Sequence, residues 1–235
     1  MAGRGVGRAL LGSGLLAVTL LGGAGGYGLG LMTSDQRASA GTAAAPLPGA
    51  ASSTPPSTPP STPPKNIVPD TSKPLQADDI HYKTREFTVS ATVESQVSVR
   101  VPSTWDMTVQ DPPKYVRFNE PARKRWIRIE AGFTITRPPA VSMAVKVAEL
   151  KNLSASQMLT IKSQHVDPVT KNATLVYTYV PDQSVRYVMV RWLANPEGLC
   201  IFELAATGLP QDKAALEAIL DHATDSAKRS DSPLS

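Results

Sequence analysis

Hydrophobic and polar residues alternate along six short segments of the chain. These segments are residues 87–93, 97–101, 127–135, 175–179, 185–189 and 200–204. A period of two places every second side chain on the same face of a strand, so each segment predicts a strand with one buried face. Short turn sequences separate several of the segments, at 119–121, 181–182 and 195–198. Such short links favour antiparallel neighbours.

Two further segments have the spacing of a helix. The first follows Pro138-Pro139, with apolar residues at Val141, Ala144, Val145 and Ala148. The second lies between Asp212 and the basic pair Lys228-Arg229, which suits a helix dipole, and its apolar residues are Leu216, Ile219, Leu220 and Ala223. We therefore predict an α+β domain, in which an antiparallel sheet of about six to seven strands is covered by two or more helices.

The N-terminal sequence predicts a membrane anchor. Residues 9–32 carry no charge, and this run is long enough to cross a bilayer. Arg4 and Arg8 precede it, so the positive-inside rule places the short tail 1–8 in the cytoplasm and the main domain outside. The alternative is a cleaved signal peptide followed by secretion. Residues 10–21 have the length of a signal-peptide core, and Ala-Ser-Ala at 38–40 resembles a cleavage site.

Residues 33–77 predict a disordered linker. The segment is rich in Ala, Ser, Thr and Pro, and the unit Ser-Thr-Pro-Pro is repeated from Ser53 onward. It has no apolar period with which to offset the entropy of folding, and Pro-rich chain is extended. We interpret it as a spacer; the alternative is a ligand for a Pro-binding module or a glycan acceptor. The folded domain is then predicted over 78–229, with a disordered tail at 230–235.

Charge adds a candidate surface to this picture. The chain has 24 Lys and Arg and 20 Asp and Glu, but the excess of cations is concentrated between residues 114 and 137, where Tyr115 and Trp126 are interleaved. The candidate residues for binding an anionic partner are Lys114, Arg117, Arg123, Lys124, Arg125 and Arg128. An acidic protein face, a lipid headgroup or an anionic wall polymer would fit them. The alternative is a solvated hairpin tip without a partner.

Few residues favour catalysis or metal binding. The single Cys200 excludes an internal disulfide and a zinc site built on a Cys pair, and its apolar neighbours predict a core position. Three histidines are widely spaced along the chain: His81, His165 and His222. The sequence has neither a G-x-S-x-G nucleophile motif nor a Walker phosphate loop. Glu120 and Glu130, separated by a turn, are the carboxylate pair considered for glycoside hydrolysis. We predict no catalytic residue, cofactor or metal.

Three segments are similar to motifs of one known family. Residues 101–105 (VPSTW) resemble its VPxGW motif, residues 115–129 its YxDPxGRxxLRV hairpin, and residues 173–179 (ATLVYTY) its AAEWEYTY strand. The family is the PsbP-like, LpqN-type extracytoplasmic domain of actinobacteria. The resemblance implies an α/β/α sandwich with a non-enzymatic binding or scaffolding role, and it leaves the ligand open. Thr104 and Val176 replace a usual Gly and Trp, and the turn at 121–124 lacks its Gly.

These observations lead to one main hypothesis about function and two alternatives. The main hypothesis is a membrane-anchored, extracytoplasmic binding or scaffolding protein of the cell envelope, without catalytic activity. The first alternative is an envelope hydrolase or secreted enzyme with an unrecognised active site. The second is an accessory sensor domain that acts through another membrane protein. The expected partner is an envelope protein or an anionic wall or lipid ligand, and not nucleic acid, which an extracytoplasmic domain rarely meets. The oligomeric state stays open.

Overall fold

The computed structural model describes residues 65–109 and 114–234. Its helices and strands are β1 Tyr82–Ser90, β2 Glu94–Pro102, β3 Asp106–Val109, β4 Tyr115–Asn119, β5 Trp126–Glu130, α1 Pro139–Lys151, β6 Thr160–Val166, β7 Ala173–Tyr179, β8 Arg186–Ala194, β9 Cys200–Gly208, α2 Lys213–Ser226 and β10 Lys228–Ser232. The predicted cytoplasmic tail at 1–8, the predicted anchor at 9–32 and residues 33–64 of the predicted linker lie outside the described residues. Within the described ranges, no helix is long and apolar enough to cross a bilayer.

The strands of the described ranges form two antiparallel sheets. The larger sheet has seven strands in the order β3-β4-β5-β9-β8-β7-β6, and the smaller has three in the order β1-β2-β10. Short turns join β4 to β5, β7 to β8 and β8 to β9, as the sequence predicted. The prediction of an α+β fold with antiparallel strands and two helices is confirmed. The separate three-stranded sheet was not predicted.

The first face of the seven-stranded sheet packs against α2 and the three-stranded sheet. This core contains large side chains that are almost completely buried, among them Phe118, Ile127, Ile129, Phe202, Leu204, Leu216, Ile219 and Leu220. The buried residues of β4 and β5 occupy every second position. The apolar positions of the period-two pattern are therefore the positions that are buried in this core.

The second face of the same sheet is more polar. Helix α1 packs on it at β7 and β8, where Met143, Val147 and Leu150 join a cluster with Leu175 and Trp192. On β4 and β5, the residues that point to this face are only half-buried. The polar positions of the β4–β5 hairpin, residues 115–130, therefore lie on this partly exposed region of the sheet.

The structure corrects the extent of two predicted strands. The strand predicted over 87–93 ends at Ser90, and β2 begins at Glu94. The alternation over residues 127–135 predicts a single strand, but β5 ends at Glu130. Gly132 has a φ of +77°, and a Cβ atom there would lie 3.1–3.2 Å from backbone atoms of Ala91, Val89 and Val93. Glycine is required where the chain combines positive φ with such a close approach. The chain turns here because the Gly132 carbonyl accepts the backbone N–H groups of Thr92 and Val93.

The structure also corrects which face of α1 is buried. The helix forms where it was predicted, but Val141, Ala144, Val145 and Ala148 are exposed. The buried stripe is Ser142, Met143, Lys146, Val147 and Leu150. The longer side chains of Met143 and Leu150 remove more apolar area from water than the two alanines would. By contrast, the predicted apolar face of α2 is buried as expected.

Both borders of the predicted domain differ from the structure. Residues 65–76, which we call the strap, fall in the predicted linker but contact the sheet domain. The Lys65 Nζ donates to the carbonyl oxygens of Val180 and Pro181 at 2.6 and 2.7 Å, and the Val68 N–H donates to the Gln183 carbonyl. At the other end, β10 extends into the predicted tail and pairs with β2. Hydrogen bonds hold most of these segments, and Leu75 of the strap also packs against the apolar core. Neither segment has an apolar period, so hydrophobic periodicity does not detect them.

The α1 correction gives a first testable prediction. Leu150→Ala leaves a cavity at a site that is 2% exposed, and we expect it to lower the free energy of unfolding by about 2–5 kcal/mol. Val145→Ala acts at a site that is 38% exposed, so its effect should stay within about 0.5 kcal/mol. Urea unfolding of both variants measures the difference. Equal losses would contradict the observed helix orientation.

Candidate functional site

The structure divides the six predicted cations into different environments. Lys114 and Arg123 are exposed, and Arg117 is half-buried on β4. Lys124 forms an ion pair with Asp70 of the strap at 2.9 Å, and the hydrogen bonds from Ser72 and from Lys124 hold the pKa of the Asp70 carboxyl below its usual value. The cations therefore do not act as one uniform patch.

Arg125 is not a surface residue, and its assignment to the candidate surface was wrong. Only 4% of it is exposed. Its Nε and Nη2 donate to the two carboxylate oxygens of Asp212 at 2.6 and 2.9 Å. Its Nη1 donates to Glu120 at 2.6 Å, and Nη2 also donates to the Lys73 carbonyl at 2.7 Å. This geometry neutralises the guanidinium inside the protein, so Arg125 has a structural role.

The carboxylate of Asp212 compensates the charge of Arg125 and so allows Arg125 to lie inside the protein. The carboxylate is completely buried and, besides Arg125, it accepts the backbone N–H groups of Leu75 and Leu209 at 2.8 and 2.9 Å. One side chain thus joins the strap, the β4–β5 turn, the end of β9 and the start of α2. The sequence pattern does not reveal this pairing, because Asp212 lies 87 positions from Arg125.

A second testable prediction concerns this pair. Asp212→Asn leaves the Arg125 charge buried and incompletely compensated, so we expect a loss of about 3–5 kcal/mol in the free energy of unfolding. The matched control is Asp221→Asn, which breaks an ion pair with Arg191 whose carboxylate side chain is 52% exposed. An exposed pair contributes about 0–1 kcal/mol. Chemical denaturation compares the two, and a small loss for Asp212→Asn would contradict the structural role.

A group of aromatic and basic side chains occupies the partly exposed region of the second sheet face. The guanidinium carbon of Arg117 lies 4.9 Å from the ring centroid of Trp126, and that of Arg186 lies 5.9 Å from the same centroid. Tyr179 stands directly opposite Arg186 in the β7–β8 register. We call Arg117, Trp126, Tyr179 and Arg186 the arginine–indole cluster. Stacking on an aromatic ring is a favourable environment for a guanidinium.

Neither arginine of this cluster has a carboxylate partner among the described residues. Arg186 donates one hydrogen bond, from Nη1 to the Lys124 carbonyl at 3.1 Å. Burial raises the pKa of the Tyr179 hydroxyl, and the positive charges of Arg186 and Arg117 partly offset that rise. The phenol therefore stays protonated at neutral pH and lies within electrostatic reach of both guanidiniums.

Sequence reasoning found Arg117 and Trp126 but missed Arg186 and Tyr179. These two residues lie about sixty positions further along the chain, and only the strand order brings them to the hairpin. The period-two pattern placed strands near 175–179 and 185–189 without indicating their neighbours. Arg186 itself begins β8 next to a turn, where a solvated cation is common, so no local signal marked it.

Arg128 belongs to a second cluster on the same sheet face. It forms an ion pair with Glu203 and lies 3.8 Å from the Glu130 carboxylate. Glu203 also accepts the indole N–H of Trp192 at 3.0 Å, and Arg128 stacks on Tyr115 at 5.4 Å. Glu130 and Glu203 are direct cross-strand neighbours, so one cation stands against two carboxylates.

The carboxylate pair differs from the one that the sequence indicated. Glu120 binds Arg125 through Oε1, whereas Glu130 pairs across the sheet with Glu203. Burial, followed by the negative charge of Glu203, raises the pKa of Glu130 to about 7, although the positive charges of Arg128 and Lys146 oppose that rise. A glutamic acid that is buried beside a second carboxylate can hold a proton at neutral pH.

This environment gives a third testable prediction. Because the pKa of Glu130 is raised from 4.5 in the unfolded chain to about 7 in the folded protein, the folded state retains a proton that the unfolded state releases between these pH values. The stabilisation is complete below pH 4.5 and is lost as the pH rises through 7, at about 1.4 kcal/mol for each unit of pKa difference. In Glu130→Gln, this part of the pH dependence should be absent.

Urea unfolding at several pH values between 4 and 8 measures this effect. The matched control is Glu86→Gln, which removes an exposed carboxylate from the middle of β1. The control should keep the pH dependence of the unsubstituted protein. If Glu130→Gln keeps it as well, another group is responsible.

The remaining sequence candidates lie in separate places. His165 is exposed on β6, His81 is exposed before β1, and the His222 ring lies 3.9 Å from the Tyr82 ring. Cys200 is buried as predicted, and burial raises the pKa of its thiol to about 11. Among residues 65–109 and 114–234, no group of three or more His, Cys, Asp and Glu is placed to hold a metal ion.

Comparisons with known proteins give one structural likeness. No protein-family model matches the chain, and no curated protein matches it. Among solved structures, the chain is similar to LpqN, whose description is "Crystal structure of LpqN involved in cell envelope biogenesis of Mycobacterium tuberculosis". The two share 16% sequence identity over 66% of this chain and 94% of that one, with a TM-score of 0.39. Likeness at this level assigns neither family nor function.

Proposed function

We propose that the chain is a membrane-anchored, extracytoplasmic binding module of the cell envelope, which takes an anionic partner without transforming it. The anchor and the exported location rest on the uncharged run at 9–32 and the arginines before it. The resemblance of three segments to PsbP-like, LpqN-type domains favours the same kind of role. The cations of the hairpin region favour an anionic partner.

One observation carries the binding proposal. Several cations in and beside the β4–β5 hairpin have no carboxylate partner among the described residues, in contrast to Lys124, Arg125 and Arg128. They are Lys114, Arg117, Arg123 and Arg186. We call these four the basic face. Cations that are not compensated within the protein create a positive potential, which attracts an anionic partner and speeds its association.

The attachment of the strap also favours this surface. The chain enters the described part at Lys65, which hydrogen bonds to Val180 and Pro181, directly after Tyr179 in β7. The strap then reaches Lys124 in the β4–β5 turn through Asp70. The strap is thus fixed beside the arginine–indole cluster. This fixed attachment would limit how the basic face can orient towards a partner at the envelope.

A fourth testable prediction addresses the basic face with short-chain polyphosphate as a defined polyanion. The double charge reversal Lys114→Glu with Arg123→Glu should weaken binding by the full chain at least tenfold, because both residues are exposed and have no carboxylate partner among the described residues. Binding by the unsubstituted chain should also weaken as the salt concentration rises, since exposed charges are screened. Fluorescence anisotropy of a labelled polyphosphate, with the protein in a non-ionic detergent, measures both effects.

The matched control reverses two exposed lysines away from the hairpin, Lys83 on β1 and Lys213 at the start of α2. The net charge changes equally, so binding should fall no more than about twofold if the position of the charge matters. Equal losses in both double variants would show that only net charge matters. That result would overturn the basic face as a specific contact surface.

A hydrolase is the second candidate, and one observation favours it. Glu130 and Glu203 are neighbouring carboxylates on a partly exposed sheet face, and the raised pKa of Glu130 suits a general acid. Glycosidases use such a pair. Glu130→Gln separates the two candidates: a hydrolase would lose its activity on wall polysaccharide, whereas the binding module keeps its affinity for polyphosphate.

A further inference from the structure

We infer that Arg117, Arg186 and Tyr179 form a binding site for a phosphate group, with the Trp126 ring as the platform that holds the two guanidiniums. This inference rests on the proposed function, because it names the chemical class of the anion that the basic face takes. The basic face is only a charged surface, whereas the phosphate site has defined binding residues. It also assigns Arg186 and Tyr179, which the sequence candidates did not include.

The three side chains lie in one region of the second sheet face. They come from β4, β8 and β7, which are not all neighbours in the sheet, and both arginines lie over one indole ring, at 4.9 and 5.9 Å from its centroid. Tyr179 is the direct cross-strand neighbour of Arg186. Contact with the indole restricts the otherwise flexible arginines, so less entropy is lost when they bind a ligand.

The two arginines and Tyr179 have unused hydrogen-bonding capacity. A guanidinium has five N–H donors. Within the described part of the chain, Arg117 donates none of them, and Arg186 donates only one, to the Lys124 carbonyl. The Tyr179 hydroxyl likewise has no hydrogen-bond partner there. None of these donors is among the buried unsatisfied atoms of the described residues, so solvent reaches them and they are open to an acceptor from outside the protein.

This set of donors matches the charge and the acceptor atoms of phosphate. A guanidinium binds phosphate through two parallel hydrogen bonds, and two guanidiniums balance the charge of a dianionic phosphate. The acidic group that acts on Tyr179 is Asp182, an exposed residue of the β7–β8 turn. One exposed carboxylate leaves the local charge positive. A phosphomonoester has both the charge and the number of acceptor oxygens to use two arginines and a phenol.

The neighbouring cluster explains why the site lies at Arg117 rather than at Arg128. Arg128 stands directly opposite Arg117 in the β4–β5 register, but Glu203 and Glu130 surround it. Its charge is already compensated within the protein. The uncompensated guanidiniums are therefore those that stack on Trp126.

The experiment titrates the full chain, in a non-ionic detergent, with two probes: inorganic phosphate and dihexanoyl phosphatidic acid below its micelle concentration. Isothermal titration calorimetry should show saturable binding to the unsubstituted protein. Arg117→Gln and Arg186→Gln should each weaken it at least tenfold. Arg186→Lys should also weaken it, because lysine keeps the charge but loses the planar fork. The control, Arg100→Gln at an exposed position of β2, should stay within twofold.

The two probes distinguish the sources of the phosphate. If the lipid binds at least tenfold more tightly than inorganic phosphate, then a phospholipid or phosphoglycolipid headgroup is the ligand, and equal affinities indicate a free or polymer-borne phosphate. Either result supports the site. Circular dichroism and urea unfolding confirm that each variant is folded before its titration is interpreted.

Two outcomes would overturn the inference. One is the absence of saturable binding of either probe to the unsubstituted protein, and the other is unchanged binding in the folded Arg117→Gln and Arg186→Gln variants. In both cases the basic face is judged separately from the polyphosphate measurement on Lys114 and Arg123. If that double reversal still abolishes polyanion binding, the proposed function stands without the phosphate site. If neither measurement responds, both proposals fail.

Discussion

The buried pair of Arg125 and Asp212 is the interaction on which the arrangement of the hairpin depends. Through it, the strap, the β4–β5 turn, the end of β9 and the start of α2 meet at one carboxylate. A buried charge is tolerated only when it is paired and hydrogen-bonded, so the position of the turn is strongly constrained. Trp126 follows Arg125 directly and begins β5. Its ring is therefore held where Arg117 and Arg186 can stack on it.

The two faces of the seven-stranded sheet differ in polarity. The face that packs on α2 and on the three-stranded sheet is almost entirely apolar. The other face carries charged and aromatic side chains, and its charges fall into two groups. Around Arg128 the carboxylates of Glu130 and Glu203 compensate the cation within the protein. Around Trp126 two cations have no carboxylate partner in the described part of the chain. This difference in local charge, rather than the number of cations in the hairpin, defines the surface proposed for an anionic partner.

Hydrophobic periodicity predicted the parts of the fold that apolar burial determines. It located the central strands and the buried face of α2, where Leu216, Ile219 and Leu220 are completely buried. It located α1 but chose the wrong face, because Val141 and Val145 form an apolar stripe beside the one that contains Met143 and Leu150. It missed the strap and β10, which are held mainly by hydrogen bonds and ion pairs. For the candidate site, composition found Arg117 and Trp126, whereas Arg186 and Tyr179 required the strand order.

The central claim is that the structure assigns Arg125 to the interior and leaves Arg117 and Arg186 for a ligand. The most direct measurement is the set of arginine Nε–H resonances of the full chain during a titration with inorganic phosphate, with assignments from single Arg→Gln variants. The account predicts that the Arg117 and Arg186 signals shift together with one saturable dependence, while the Arg125 signal does not move. A shift confined to exposed Arg123, or a shift of Arg125, would contradict it.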